Sequence, residues 1–245
     1  ENPALDKWGQ NTQGWKPVNV KSIDAQKLRV ANQTLAQDSP ERKANDSRIQ
    51  AFDKGATKEQ ADQWAEYEAL PTSDARKLFL VQNEKFYNFA KAKMGTAEVN
   101  ERGGIEALKL QVKNKAFDDQ YNALPSAAMK QAYLKQKPQY AEDRLRLEGY
   151  RAGVDSRYVD DYVVYNSLPT EGNSRKRWLK ENSEYYQNVY LNTLGKDEVD
   201  FDKVPTLRFE QAYEQYKKMD SRQQNAYRYA NDWFQAEGML LEKWK

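Results

Sequence analysis

The run Trp64-Ala65-Glu66-Tyr67-Glu68-Ala69-Leu70-Pro71-Thr72-Ser73-Asp74-Ala75-Arg76-Lys77-Leu78-Phe79-Leu80 decides how this chain folds. At about 3.6 residues per helical turn, Trp64, Tyr67 and Leu70 share one face. Pro71 disfavours the helical conformation in the residue before it, so the helix is expected to close at Leu70. Thr72 or Ser73 then offers a side-chain oxygen to the free amides of a second helix. Phe79 and Leu80 on that helix fold back against the first, and the unit expected is an αα-hairpin.

The pattern recurs along the chain. After Leu80 the first copy continues through Asn83 and Phe86. The second has Tyr121, Leu124 and Pro125, then Lys130, Tyr133, Leu134, Pro138 and Tyr140. The third has Tyr162, Tyr165, Leu168 and Pro169, then Arg175, Lys176, Arg177, Trp178, Leu179, Asn182 and Tyr185, its later half displaced by an extra Gly172 or Asn173. A worn fourth copy keeps Tyr213, Tyr216 and Met219, replaces the proline turn with Asp220-Ser221-Arg222, and offers Tyr227 and Tyr229 for the later aromatic places. The unequal intervals between Leu70, Leu124, Leu168 and Met219 argue for modules on variable linkers, not for a regular superhelix.

The fold class expected is therefore all-α: an array of helix–turn–helix modules joined by variable linkers, with a polar N-terminal arm. The boundaries predicted are an arm over 1–56, hairpins over 57–94, 116–150 and 151–195, a degenerate hairpin over 206–245, and linkers over 95–115 and 196–205. Thr57 to Gln60 reads as a capping box for the first helix. Ser126 should cap the second copy's later helix, and Thr170 or Ser174 the third's. In the arm, Trp8 and Trp15 flank a Gly- and Asn-rich opening, and helices are expected over 22–37 and 41–54. The latter is polar almost all round and needs a partner surface, which makes the arm the expected place of contact with something outside the fold. No stretch sustains the period-two pattern of a strand.

Composition narrows the function. The balance of 39 Lys and Arg against 37 Asp and Glu leaves a net charge of +2, without the basic excess of a polyanion-binding protein. A mean hydropathy of −1.06 alone would suggest disorder. Aromatic residues make up 12% of the chain, however, and large rings at helical spacing bury area despite a polar surround. Apolar runs are too short to cross a bilayer, and no basic-then-apolar leader pattern occupies Glu1 to Gln10, so a soluble chain, processed or cut from a longer one, is expected. With neither Cys nor His, the thiolate nucleophile, the disulfide framework, the usual general base at neutral pH and the commonest metal ligand are all missing.

Candidate chemistry is correspondingly thin. The carboxylate pairs Asp118-Asp119 and Asp160-Asp161 diverge by about 100° on a helix and read as acidic first turns complementing the helix dipole. No phosphate loop, nucleophile elbow or calcium loop occurs. The triplets Asn32-Gln33-Thr34 and Asn45-Asp46-Ser47 match the glycosylation pattern, as Asn-rich stretches often do by chance. No catalytic residue, cofactor or metal is expected. The basic residues after the turns, Arg76, Lys77, Lys130, Arg175, Lys176 and Arg177, admit two readings. One is a ladder tracking phosphates, with Tyr and Trp as stacking platforms for single-stranded nucleic acid. The other, which the near-neutral charge favours, has each Arg stem packing on its own hairpin while the head meets carbonyls at the end of the first helix. The rings and their neighbours, Trp64, Tyr67, Leu70, Phe79, Leu80, Tyr121, Leu124, Tyr133, Leu134, Tyr165, Leu168, Trp178, Leu179, Tyr216 and Met219, are read as core.

The order Tyr-x-x-Leu-Pro, Arg, aromatic-Leu, Asn or Asn-Pro, aromatic resembles degenerate helical repeats of very large phage and bacterial proteins. It covers roughly Trp64 to Tyr190, with Gly172 matching the glycine usual after the proline and Pro138 the later proline, which follows neither Asn83 nor Asn182. The resemblance implies an architectural module and carries no catalytic residue. The function expected is a non-catalytic structural or interaction protein of a large assembly, an internal, packaged or ejected component of a phage virion, with protein subunits as partners and no membrane span. Its place would be a virus particle or the cytoplasm. A single-stranded nucleic-acid-binding protein is the alternative.

Overall fold

The computed structural model describes residues 21–243, all of whose regular structure is helical, with no strand among them. Trp8 and Trp15 lie outside the described residues. The chain divides into two compact units, one running to Ala123 and the other from Leu124.

The first unit holds α1 (Lys21–Ala31), a 3₁₀ turn over Asn32–Thr34, α2 (Pro40–Asp53), α3 (Lys58–Ala69), α4 (Ser73–Gln82), α5 (Glu84–Lys93) and α6 (Gly104–Ala123). The capping box forms as expected, Thr57 accepting from the Gln60 amide and the Gln60 side chain accepting from the Thr57 amide. Leu70 ends α3 in an extended conformation before Pro71, and Thr72 caps α4 through the Ala75 amide.

The arm is part of this unit. Ala25, Ala51, Phe52 and Ala56 are buried in one core with Ala61, Trp64, Tyr67, Leu80 and Phe86. α2 packs against both α1 and α3. Its polarity hid this because the contact is made by alanines, whose small side chains let helices approach, and by paired polar groups. Asn45 Nδ2 donates to Asn32 Oδ1 at 2.9 Å, and Asn32 Nδ2 donates to Asp46 Oδ1 at 2.8 Å. Both asparagines are buried, so the two glycosylation triplets are packing elements in the fold. Arg29 reaches Asp53 at 2.6 Å, Arg48 reaches Asp62 at 2.7 Å, and the Trp64 indole donates to Gln50 at 3.1 Å. Between α2 and α3 the chain reverses at Gly55, where φ is +86° and the Ala56 amide closes back on the Ala51 carbonyl at 3.0 Å.

The second unit holds α7 (Ala127–Gln136), α8 (Pro138–Arg151), a 3₁₀ turn over Ser156–Tyr158, α9 (Val159–Ser167), α10 (Ser174–Glu181), and α11 (Ser183–Tyr185), which runs into a π-helix over Tyr186–Leu191. A 3₁₀ turn over Phe201–Lys203, α12 (Leu207–Tyr216), α13 (Ser221–Ala230) and α14 (Asp232–Leu240) complete it. α8 and α9 approach closely at Gly149, where a Cβ would stand 3.0 Å from the Tyr162 ring. One core gathers around Leu179, Tyr185, Tyr186 and Val189, another around Phe209, Tyr216 and Phe234.

Each copy has three helices where the pattern predicted two. A single residue separates the second from the third: Asn83, Lys137, Asn182 and Asn231, all with φ between −115° and −135° and ψ between 62° and 78°. At three of these breaks the asparagine amide donates to the carbonyl four residues earlier: Asn83 to Phe79 at 2.9 Å, Asn182 to Trp178 and Asn231 to Tyr227 at 2.8 Å. Such a bond satisfies one of the carbonyls that a helix end leaves open. Lys137 is followed instead by Pro138, whose fixed φ suits the first helical position. Placing proline at the matching exposed position of the third copy, Ser183→Pro, is accordingly expected to stabilise the chain by about 0.4–1 kcal/mol, read as a raised urea midpoint.

Other boundaries also move. The stretch 95–115 becomes helical at Gly104, because Ala107 and Leu108 bury against the first core, and Val99 is buried ahead of it. In the stretch 196–205, Val199 and Phe201 pack on the third copy's core. Neither Thr170 nor Ser174 caps α10; that place falls to Asn173, whose side chain donates to Glu210 at 2.5 Å. The division between units falls inside the second copy, after Ala123.

Candidate functional site

The feature that recurs is a hub where the three helices of a copy meet. In the first copy Tyr67, Phe79 and Phe86 stand with ring centroids 5.6–6.2 Å apart. In the third, Tyr165, Trp178 and Tyr185 stand 5.0–5.9 Å apart. In the fourth, Tyr216, Tyr227 and Phe234 stand 5.1–6.3 Å apart. Tyr133 and Tyr140 of the second copy meet edge to face at 5.9 Å. Each ring comes from a different helix, so the triad is the joint of its module. Edge-to-face and tilted pairs place positive ring edges on negative faces, adding to the area buried.

Beside each ring triad is a side chain that closes the corner. Arg76 donates to the Leu70 carbonyl at 3.2 Å, with its guanidinium 5.8 Å over the Tyr67 ring. Arg175 donates to the Leu168 carbonyl at 3.1 Å and the Asn166 carbonyl at 3.0 Å, 5.1 Å over Tyr165. In the fourth copy Gln224 does the same with an amide, reaching the Tyr216 carbonyl at 3.2 Å and the Met219 carbonyl at 3.1 Å. All three stand three residues before the second ring of the triad, the register that Lys130 occupies in the second copy. These donors satisfy carbonyls left open where the first helix stops at its turn.

Of the six basic residues singled out by sequence, Arg76 and Arg175 point into their own modules. Arg177 pairs with Glu210 at 2.7 Å and donates to the Pro205 carbonyl at 3.2 Å, tying the third copy to the fourth. Lys77 and Lys130 are half-buried and Lys176 is exposed. The carboxylate pairs do not converge: Asp160 and Asp161 open α9, Asp160 meeting Arg146 at 2.9 Å, whereas Asp118 and Asp119 lie near the C-terminal end of α6 and not in a first turn, Asp119 meeting Lys115 at 2.5 Å. Among the core candidates Trp64, Tyr67, Leu80, Leu179 and Tyr216 are buried, while Leu70, Phe79, Tyr121, Leu124, Tyr133, Leu134, Tyr165, Leu168, Trp178 and Met219 are half-buried. No group of three potential metal ligands occurs among the described residues, and none of their helices is long and apolar enough to cross a membrane.

No family model, curated protein or solved structure matches the chain.

Three members of the hubs escaped the sequence pattern. Tyr229 does not take a late aromatic place but stands 83% exposed; Phe234 does, fully buried. The signal was Asn231 three residues earlier, the interval from Asn83 to Phe86 and from Asn182 to Tyr185. Gln224 was hidden by carrying no charge. Glu98 lay in a presumed linker, yet it is buried and accepts from the Tyr67 hydroxyl at 2.9 Å.

Burial alone would raise the Glu98 carboxyl, but bonds from its own backbone amide and from the Tyr67 and Ser73 hydroxyls, with the Arg76 charge nearby, hold it below its ordinary value of 4.5. Burial, with the Glu98 charge, pushes the Tyr67 hydroxyl up, so it keeps its proton and remains the donor. A carboxyl depressed on folding contributes stability that is present above its unfolded value and lost as pH falls through the folded one. The melting midpoint of wild type is therefore expected to fall more steeply than that of Glu98→Gln as pH drops from about 5 to about 3.

Proposed function

We propose that the chain is a non-catalytic structural and interaction protein of a large multi-protein assembly, and that the assembly is a phage virion in which it is an internal, packaged or ejected component. The observation that carries this reading is the hub. Arg76, Arg175, Gln224 and the hub rings, which the repeat places at matching positions, are committed to holding three helices at fixed angles. What the module offers outward is shape. The resemblance of its repeat to those of very large phage and bacterial proteins supplies the setting, and small helical modules that open separately suit a chain that must pass a narrow channel.

Purifying the native complex at mild salt and identifying its components by mass spectrometry tests the proposal. Capsid, tail or other assembly subunits should travel with the chain. Recovery as a free monomer, or with nucleic acid alone, overturns it; in the latter case binding should weaken steeply with salt and be lost on reversing the charge of Lys176.

A further inference from the structure

Asn231 separates two helices, the second of which is held more lightly than its counterparts. α13 buries no residue, and α14 buries Phe234 and Gly238. By contrast α5 buries Phe86, Tyr87 and Ala90, and the segment from Ser183 buries Tyr185, Tyr186 and Val189. Meanwhile Tyr229, Met239 and Leu240 keep large apolar surfaces in water, Leu240 being 65% exposed. One residue with φ −135° and ψ 78° interrupts what is otherwise helix from Ser221 to Leu240. Turning φ and ψ there to the helical values of about −63° and −42° makes that stretch a single rod. Nothing covalent prevents it here, whereas Pro138 in the second copy lacks the amide and its ring would collide with the preceding turn.

We propose that α13 and α14 fuse into one helix and that the α14 half docks on a second copy of this chain, giving a reciprocally exchanged dimer. The second copy is the occupant because the seat is specific for this segment. Phe209, Tyr216 and Tyr227 surround Phe234 at 4.9, 5.2 and 5.1 Å between ring centroids. Glu237 accepts from the Thr206 amide at 2.6 Å and its hydroxyl at 3.0 Å, and the Arg208 guanidinium lies 3.8 Å over the Trp233 ring. An identical chain remakes every one of these contacts, so beyond the Asn231 side-chain bond at the hinge exchange costs association entropy but no interaction. Straightening also adds one: Tyr229, Trp233, Ala236 and Leu240 fall at alternating four- and three-residue spacing, a stripe that two rods crossing at their hinges bury together. Such a dimer forms whether or not the chain serves in a larger particle.

Size-exclusion chromatography with light scattering, from micromolar to millimolar chain, reads the outcome. Wild type should show a dimer that grows with concentration. Asn231→Ala, which removes the side-chain bond to Tyr227 and supplies the best helix former, should enlarge it. Asp232→Pro should eliminate it with the circular dichroism of a folded chain, while the matched Ser183→Pro leaves it intact. Because the chain has no cysteine, a second measurement needs no background removal. Leu207→Cys chains carrying a donor dye and Met239→Cys chains carrying an acceptor, both at exposed positions beside the seat, should when refolded together transfer energy as efficiently as one chain carrying both dyes. Monomer at every concentration in wild type and Asn231→Ala, a dimer undiminished in Asp232→Pro, or absence of energy transfer between the two labelled chains overturns the proposal.

Discussion

Trp64→Ala is expected to destabilise the unit ending at Ala123 by about 3–5 kcal/mol, the cost of deleting a large aromatic from a filled core. Trp64 is fully buried, stacks on Tyr67 at 5.3 Å and lies 6.3 Å from Phe86. Its indole N–H is also the donor to Gln50 on α2, so the substitution removes packing and leaves the Gln50 oxygen without that partner. The discriminating readout is amide hydrogen exchange over α2. If residues 40–53 belong to the same cooperative body as the first hub, their protection collapses together with that of α3. An arm that merely lay beside the module would keep its exchange rates, and that outcome would contradict the shared core.

The second large effect is expected at Arg175. Its two bonds to the Leu168 and Asn166 carbonyls are charge-assisted, and hydrogen bonds of that kind contribute about 1.5–3 kcal/mol. Arg175→Ala should lower stability by an amount in that range, and Arg175→Lys should recover only part of it, because an ammonium lacks the planar fork that spans two carbonyls. Lys176→Ala, at the exposed neighbour, should change stability by less than about 0.5 kcal/mol. Urea denaturation of the three variants decides the matter. Equal effects at 175 and 176 would mean that the basic run acts through its charge and not through its bonds to the corner.

Much of this was legible beforehand where one residue type does one job. Pro71 and Pro169 stop helices by sterics, Thr57, Thr72 and Ser126 cap them, and all five act as their chemistry requires. The arm was misread because helix packing through Ala25, Ala51 and Ala56 leaves no large apolar stripe to see, and because Asn32 and Asn45 look solvated until each is found holding the other. The break that sets off the third helix of each copy went unseen for a different reason. A one-residue break at Asn83 or Asn182 leaves the helical periodicity on both sides intact, so only the backbone angles separate two helices from one. Glu98 could not have been placed at all, since its partner Tyr67 is remote in sequence and nothing in Thr96 to Asn100 signals a return to the core.

The corner bond has a consequence for how such chains change over generations. What the turn requires is a donor of the right reach, three residues before a ring, and the chain supplies it with arginine twice and with glutamine once. Selection acting on that requirement preserves a distance and leaves the letter free to drift. Descendants of one ancestral module would then keep superimposable hubs long after their sequences had ceased to align, and kinship among them is better sought by searching for the joint than for the words.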